Sequence, residues 1–509
     1  MKLNKTLYRA LLLSSFLAIN GLILFGISSI WSYLNTGADR STMLHLPEER
    51  ASNYLPKVDW APLDHEGRPM EEQTLKEIER DYLRAWQVRN SALETNNTYG
   101  VADYYTDSAR TKLFRILELN SANNTTIKST TLRHHPKVEF YSADGKLVVL
   151  TDENVERHEH IYSDGKLILS QKSTPSYQIM VILEDGFWRI RHLVETPNEN
   201  PRNAEQIPPS TASISQIKGV NYYPRTQAWD MFGEQFKDSI IDHDFSIIRS
   251  LGLNTVRLFV PYEAFGKVEI DPEKMEQLKR TMHLASKNDL KVMLTLFDFY
   301  GEYGIQDWTL TRTHAAQIVN ALKDHKALQS WDIKNEPDLD FESRGKEKVL
   351  AWLDQMIGTI KQYDNEHPVT IGWSNPEAAI NLSKKVDFIS FHYYRDPSEF
   401  LGSYDALKKK ASLKPLVLQE YGYSSYSGIW NGFLGSENDQ NDYYKMMDRI
   451  LVEEHIPRLF WTLYDFGEIP VSVVGRLPWR KAKQRYFGII DRYGNPKKSY
   501  SHFIGDPKK

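Results

Sequence analysis

The strongest constraint in this sequence is an alternation in its C-terminal part, where short β-rich runs and helical stretches follow one another eight times. The runs are 217–221, 255–260, 292–296, 330–333, 369–372, 388–391, 416–418 and 459–461. Most are almost continuously apolar, as strands covered on both faces must be. Strand–helix alternation implies parallel strands joined by helical crossovers. Eight such units across residues 216–505 fit a closed (β/α)8 TIM barrel, so the fold class is α/β. A doubly wound sheet would alternate in the same way, but no glycine-rich phosphate loop follows any run, and nucleotide chemistry loses its support.

In such a barrel the chemistry sits at the C-terminal ends of the strands. The run ends here are Asn221, Arg257, Asp298, Asn335 with Glu336, Trp373, His392 with Tyr394, Glu420, and Trp461. Two glutamates therefore face one mouth. A pair of carboxylates across a cleft is what glycosidic cleavage needs, one to protonate the leaving oxygen and one to attack the anomeric carbon or activate water. Each residue alone has a plainer reading: a loop carboxylate, a core ion pair for Arg257, a buried packed histidine for His392. Their arrival at the same end of separate strands favours a shared site.

The motifs at these ends resemble those of clan A glycoside hydrolases, especially glycoside hydrolase family 5. SWDIKNEPD at 330–338 is similar to the Asn-Glu-Pro motif that closes strand four, and LVLQEYG at 416–422 to the strand-seven nucleophile motif. NTVRLF resembles the strand-two arginine segment and FHYY at 391–394 the strand-six His-x-Tyr. The resemblance implies a retaining O-glycosyl hydrolase with Glu336 as acid/base and Glu420 as nucleophile. It further implies that Asn335 binds the sugar 2-hydroxyl, Arg257 and Tyr394 support Glu420, His392 shapes the site and Trp461 floors the reactive subsite. Asn221 and Trp373 are expected to support substrate binding. Two departures stand out: strand three ends LTLFDFYG without the histidine common in the family, and Gln419 occupies a position where a small residue is common.

Many aromatics follow or close the runs, among them Tyr222, Tyr223, Trp308, Trp373, Tyr393, Tyr421, Tyr423, Trp430, Trp461 and Tyr464, and they suggest an extended carbohydrate cleft. Net charge is only −4 and no basic face stands out, so nucleic acid is not an expected partner. The chain has no cysteine, which excludes a disulfide framework and a thiolate nucleophile. No cofactor or metal is expected. His158-Glu159-His160 and His134-His135 lack a third ligand at suitable spacing and read as a solvated strand face.

Upstream, no charged side chain occurs from Ala10 to Ala38, while Lys2, Lys5 and Arg9 precede this stretch. An apolar run of about 20 residues can cross a bilayer, and the flanking charges would keep the N-terminus in the cytoplasm. Residues 1–34 are thus expected to be a transmembrane signal anchor, leaving a single-pass membrane protein with its catalytic domain outside; a cleaved signal peptide is the alternative. Residues 35–70 read as a linker, 72–196 as a smaller α+β domain and 197–215 as a second linker. In the α+β segment Leu75, Ile78, Tyr82 and Trp86 share one helical face. A second helix is expected near 109–119, then strands at 137–141, 146–150, 178–182 and 188–193. Asp144-Gly145, Asp164-Gly165 and Asp185-Gly186 mark hairpin turns. Helices followed by an antiparallel meander resemble the nuclear-transport-factor-2-like (SnoaL-like) cone, which could dock a protein partner.

The expected function is hydrolysis of a β-linked polysaccharide outside the cytoplasmic membrane, in exopolysaccharide synthesis or export by analogy. A catalytically silent polysaccharide-binding or assembly module, and a transglycosylase using the same site, remain open at this point.

Overall fold

The computed structural model describes residues 15–16, 19–24, 54–196, 209–411, 414–433, 435–475 and 477–503. They fall into two compact units, one holding Pro208–Gly301 and Ile318–Lys509, the other Glu48–Ile207 together with Glu302–Gln317.

The smaller unit starts with two short strands, β1 (Lys57–Val58) and β2 (Glu66–Gly67), followed by a helix at Glu72–Thr95 and another at Asp107–Ala122. Seven strands come next: β3 (Thr125–His134), β4 (Pro136–Tyr141), β5 (Leu147–Asp152), β6 (Glu156–Ser163), β7 (Lys166–Ser173), β8 (Ser176–Glu184) and β9 (Phe187–Thr196). They form two sheets, β1-β3-β6-β7 and β2-β4-β5-β8-β9. The first helix buries Ile78, Tyr82, Ala85, Trp86 and Leu93, the face its spacing predicts, against Val148, Leu150, Ile179 and Ile190. Asp164 and Asp185 adopt φ of 48° and 51° and their glycines 74° and 83°, the left-handed pairs that a two-residue hairpin turn requires.

Several expectations change here. Part of the predicted 35–70 linker is structured, since Lys57 and Val58 pair in parallel with Arg133 and His134. Strands β3, β6 and β7 have weak apolar alternation and are visible only once paired. The histidines are not on a solvated face: His134, His158 and His160 are buried. His134 shares hydrogen bonds with Thr131 and Asp152, and the rings of His158 and His160 lie 5.1 and 5.8 Å from that of Trp308. Trp308 belongs to the part of the smaller unit contributed by Glu302–Gln317, so it packs there rather than lining a sugar cleft.

Among the described residues no helix is long and apolar enough to cross a membrane, which corrects the expected transmembrane anchor and the single-pass membrane placement built on it. Within 1–34 only 15–16 and 19–24 are described, and most of the apolar stretch lies outside the described residues. The predicted linker at 197–215 also lies largely outside them.

The larger unit is a closed, all-parallel barrel of eight strands: β10 (Lys218–Asn221), β11 (Thr255–Pro261), β12 (Lys291–Asp298), β13 (Leu328–Asn335), β14 (Val369–Trp373), β15 (Ile389–Tyr393), β16 (Leu416–Tyr421) and β17 (Arg458–Phe460). Strand β10 pairs with both β11 and β17, which closes the ring and leaves no free edge. The closure is tight at Gly219, where a Cβ would stand 2.2 Å from the Thr255 carbonyl oxygen. All eight predicted runs are strands of this barrel. Register places Asn221 beside Arg257 and His392 beside Glu420, so the polar residues converge at one end.

Candidate active site

Glu420 sits near the end of β16 and is 5% exposed. Burying a carboxylate costs several kcal/mol unless charge and hydrogen bonds compensate. Here Arg257 Nη1 donates to Oε1 at 2.6 Å, and the Tyr394 hydroxyl donates to Oε2 at 2.8 Å. Both oxygens are therefore held, and the carboxylate is fixed in rotation.

Arg257 is fully buried on β11 and has further partners. Its Nη2 donates to Asp332 at 2.6 Å and to Asn335 Oδ1 at 3.0 Å, its Nη1 to Asn221 Oδ1 at 3.1 Å, and its Nε to Thr295 at 3.0 Å. Burial works against its charge, but the Asp332 and Glu420 charges more than compensate and hold its pKa above the ordinary value. One guanidinium faces two carboxylates, so it neutralises only one of them. Asp332, on β13, was not among the sequence candidates. Its signal was a charged residue inside an otherwise covered strand, which must find a counter-charge within the barrel.

Glu336 follows β13 and takes a left-handed backbone, φ 47° and ψ 52°, directly before Pro337. Such a conformation in a non-glycine residue costs on the order of 1–3 kcal/mol and persists where its surroundings impose it. The Glu336 amide donates to the Gly372 carbonyl at 2.6 Å, which ties the bend to β14.

His392, fully buried on β15, joins the two carboxylates. Its Nδ1 lies 3.0 Å from Glu336 Oε1 and 3.5 Å from Glu420 Oε2, and its Nε2 lies 3.2 Å from Gln419 Oε1. An amide oxygen only accepts, so Gln419 calls for a proton on Nε2. Nδ1 then either accepts a proton from Glu336 or, in the imidazolium, donates to it. Burial alone would lower the His392 pKa, but the charge of Glu420 and the hydrogen bond to Glu336 outweigh burial and raise it above the ordinary value. The Tyr394 hydroxyl is raised as well: desolvation, then the charge of Glu420, push it well above the usual range and keep it a neutral donor.

One ligand atom each of Glu336, His392 and Glu420 lies within 4.8 Å of the others, a spacing a metal could also use. A cation there would have to displace donors from both Glu420 oxygens and face the Arg257 charge. The arrangement suits proton and glycosyl transfer better.

The two glutamates open into a cavity of about 490 Å3 lined also by Asn335, Tyr394, Tyr223, Phe259 and Trp461. Tyr223 stacks on Phe259 at 5.1 Å, and Trp229 lies 6.1 Å from Trp461 and 4.8 Å from Phe466. Trp229, in the loop after β10, also lines the cavity and was not among the sequence candidates. Asp298, the departure on strand three, lines it too and accepts from the Tyr223 hydroxyl at 3.2 Å. Trp373 does not reach the cavity lining; it is buried with its ring 6.2 Å from Phe341. Asn221 is buried behind the site, donating to the carbonyls of Gln419 and Phe460. Of the predicted cleft aromatics, Tyr223, Tyr423 and Trp461 line the cavity, whereas Tyr222, Tyr393, Tyr421 and Tyr464 are packed in the barrel.

Known proteins match this chain over part of its length. A beta-glucuronidase of Chlorocebus aethiops is 23% identical over a region covering 52% of this chain and 42% of that protein. Mannan endo-1,4-beta-mannosidase 3 of Solanum lycopersicum is 26% identical, covering 21% of this chain and 35% of that protein. The chain thus spans less than half the length of these two relatives. A solved exo-beta-1,4-mannosidase from Opitutaceae bacterium strain TAV5 superposes with a TM-score of 0.46 at 19% identity, covering 56% of this chain and 58% of that one. Residues 213–467, just over half the chain and including both glutamates, match the family described as Cellulase (glycosyl hydrolase family 5). With that match laid over the barrel, its two carboxylates and their arginine, the chain belongs to glycosyl hydrolase family 5.

Proposed function

We propose that this protein is a retaining glycoside hydrolase that cleaves β-linked polysaccharide by double displacement. The observation that carries the reading is a carboxylate held as the anion, Glu420, with a second carboxylate, Glu336, close beside it. Glu420 receives Arg257 and Tyr394, which stabilise its charge, and His392 joins it to Glu336. Two carboxylates this close cannot both ionise cheaply, and with donors holding both oxygens of Glu420 as the anion the proton belongs on the Glu336 side. The names of the matched relatives, mannan endo-1,4-beta-mannosidase and beta-glucuronidase, support a β-linked substrate.

In the first step Glu420 attacks the anomeric carbon while Glu336 gives its proton to the leaving oxygen. The negative charge on Glu420 is lost in the ester, and Glu336, now ionised, takes a proton from the incoming water. One oxygen of Glu336 lies within 4.8 Å of one oxygen of Glu420, which supports this route over inversion, where the two carboxyl groups stand about 6.5–9.5 Å apart to admit a water. The aromatic wall of Tyr223, Trp229 and Trp461 offers flat faces to sugar rings. The same machinery would be superfluous in a module that only binds.

The test is the anomeric configuration of the first product, followed by NMR before mutarotation. Retention is expected from the unmutated enzyme. Glu420→Ala should abolish turnover, with azide restoring cleavage of activated glycosides to an inverted product. An inverted product from the unmutated enzyme refutes the nucleophile assignment.

A further inference from the structure

One wall of the cavity has a chemistry that the glutamates do not explain. Arg480 and Lys483 line the same cavity as Glu336 and Glu420. Both lie on the short helix Pro478–Gln484, and both side chains are exposed. They belong to a stretch of unusual charge. From Ile469 to Ile490 the sequence carries Arg476, Arg480, Lys481, Lys483 and Arg485 and no acidic residue, in a chain whose net charge is −4. Among the described residues no salt bridge joins Arg480, Lys481, Lys483 or Arg485 to a carboxylate. Elsewhere on this barrel exposed cations do find partners, as Arg395 does with Glu377 and Arg280 with Asp238.

The segment is anchored to the loop that follows the strand of Glu420. Ser424, four residues beyond Glu420, donates its hydroxyl to the Lys483 carbonyl, and the Ser425 amide donates to the Tyr486 carbonyl at 3.0 Å. Lys497 Nζ reaches the same Tyr486 carbonyl at 3.3 Å, and Trp479 packs its ring 6.0 Å from that of Trp430. Two unpaired cations are thus held at the wall of a carbohydrate cavity by backbone contacts that do not use their charges. Like charges close together repel, and they are tolerated where a ligand anion joins them.

We propose that this cleft takes an anionic polysaccharide, and that Arg480 and Lys483 bind a carboxylate or sulfate on a sugar unit beside the one being cleaved. The inference rests on the glycoside hydrolase reading for the cavity's role and adds the class of substrate. The anion belongs at the basic wall and not in the reactive subsite, because the charge of Glu420 would repel it there. Arg480 can offer paired N–H donors to a planar carboxylate, and Lys483 a point charge.

The experiment measures binding separately from cleavage. The full chain carrying Glu336→Gln is titrated calorimetrically with a β-linked polyuronate and with the same polymer after carboxyl reduction, then with a sulfated β-glycan and its desulfated form. At least one anionic member should bind about tenfold or more tightly than its neutral partner, and added salt should erase the difference. Arg480→Ala with Lys483→Ala should also erase it, whereas Lys481→Ala, outside this cavity lining, should not. Both positions are exposed, so the variants should melt like the parent. Equal binding of anionic and neutral members in both pairs overturns the proposal, as does a preference that survives the double substitution. Cleavage of neutral glycans with no anionic preference would defeat the inference and leave the hydrolase standing. A salt-sensitive preference in an unmutated chain that cleaves nothing would defeat the hydrolase reading and leave standing the anion site at Arg480 and Lys483.

Discussion

Gln419 offers a sharp test of how the proton is held on Glu336. Its Oε1 lies 3.2 Å from His392 Nε2, its Nε2 lies 3.1 Å from Met293 Sδ, and it is fully buried. Gln419→Leu keeps the volume nearly constant and removes the acceptor. His392 then has two options. Keeping the proton on Nε2 leaves a buried donor unsatisfied, at about 1–3 kcal/mol. Moving it to Nδ1 turns the nitrogen 3.0 Å from Glu336 into an obligatory donor, which stabilises ionised Glu336 and disfavours its acid form. Either way the proton shared between His392 and Glu336 is held less tightly. At about 1.4 kcal/mol per pH unit, the alkaline limb of kcat/KM should move to lower pH by about 1 unit. Stability gives a second readout. The His392 pKa is raised in the folded protein, so its contribution is complete below the unfolded value near 6.5 and is lost as pH rises through the folded value. Gln419→Leu lowers the folded value and should flatten that loss in thermal melts between pH 6 and 9. The assay is kcat/KM against pH with a substrate that needs acid assistance. An alkaline limb that stays in place or moves upward, in a variant that folds and turns over, refutes the reasoning.

Three further outcomes follow from the same network. Tyr394→Phe removes a 2.8 Å hydrogen bond to charged Glu420 and should lower kcat/KM by about 10- to 100-fold with little effect on folding; a loss below threefold would mean that the hydroxyl is not needed. Asp332→Ala breaks a fully buried ion pair and removes an acceptor from Arg257 Nε and Nη2, and it should destabilise the fold by about 3–5 kcal/mol in denaturant titration, whereas a loss under 1 kcal/mol would show the pair to be dispensable. Gly372→Ala places a Cβ 2.4 Å from Gln419 Oε1 and 2.8 Å from Arg257 Nη2, so stability should fall by about 1–3 kcal/mol and activity with it; an unchanged melting temperature would refute the close packing.

Much of this was written locally. Eight buried-strand runs separated by helical stretches announce a parallel barrel, because strand period and apolar coverage are properties of neighbouring residues. The barrel's polarity and the family resemblance then single out Glu336, Glu420, Arg257, His392 and Tyr394 as candidates, although Arg257 lies inside β11 (Thr255–Pro261) and not at its end. In the smaller unit the helix face of Ile78, Tyr82 and Trp86 and the Asp-Gly turns were equally legible. What the sequence left open depended on partners far along the chain. Asp332 has a role only because the barrel sets β13 two strands along from β11, within reach of Arg257, 75 residues earlier. Trp229 lies in a loop without periodicity, and only the fold sets it beside Trp461, whereas Trp373 closes its strand like a cleft residue and is buried instead. The histidines of β3 and β6 alternate as a surface face would, yet packing covers them. The apolar N-terminal stretch shows the converse limit: composition suggested a spanning helix, and among the described residues none is long and apolar enough. Sequence determines what each short segment prefers; which side chains share a charge, a proton or a wall is decided only when segments far apart close into one barrel.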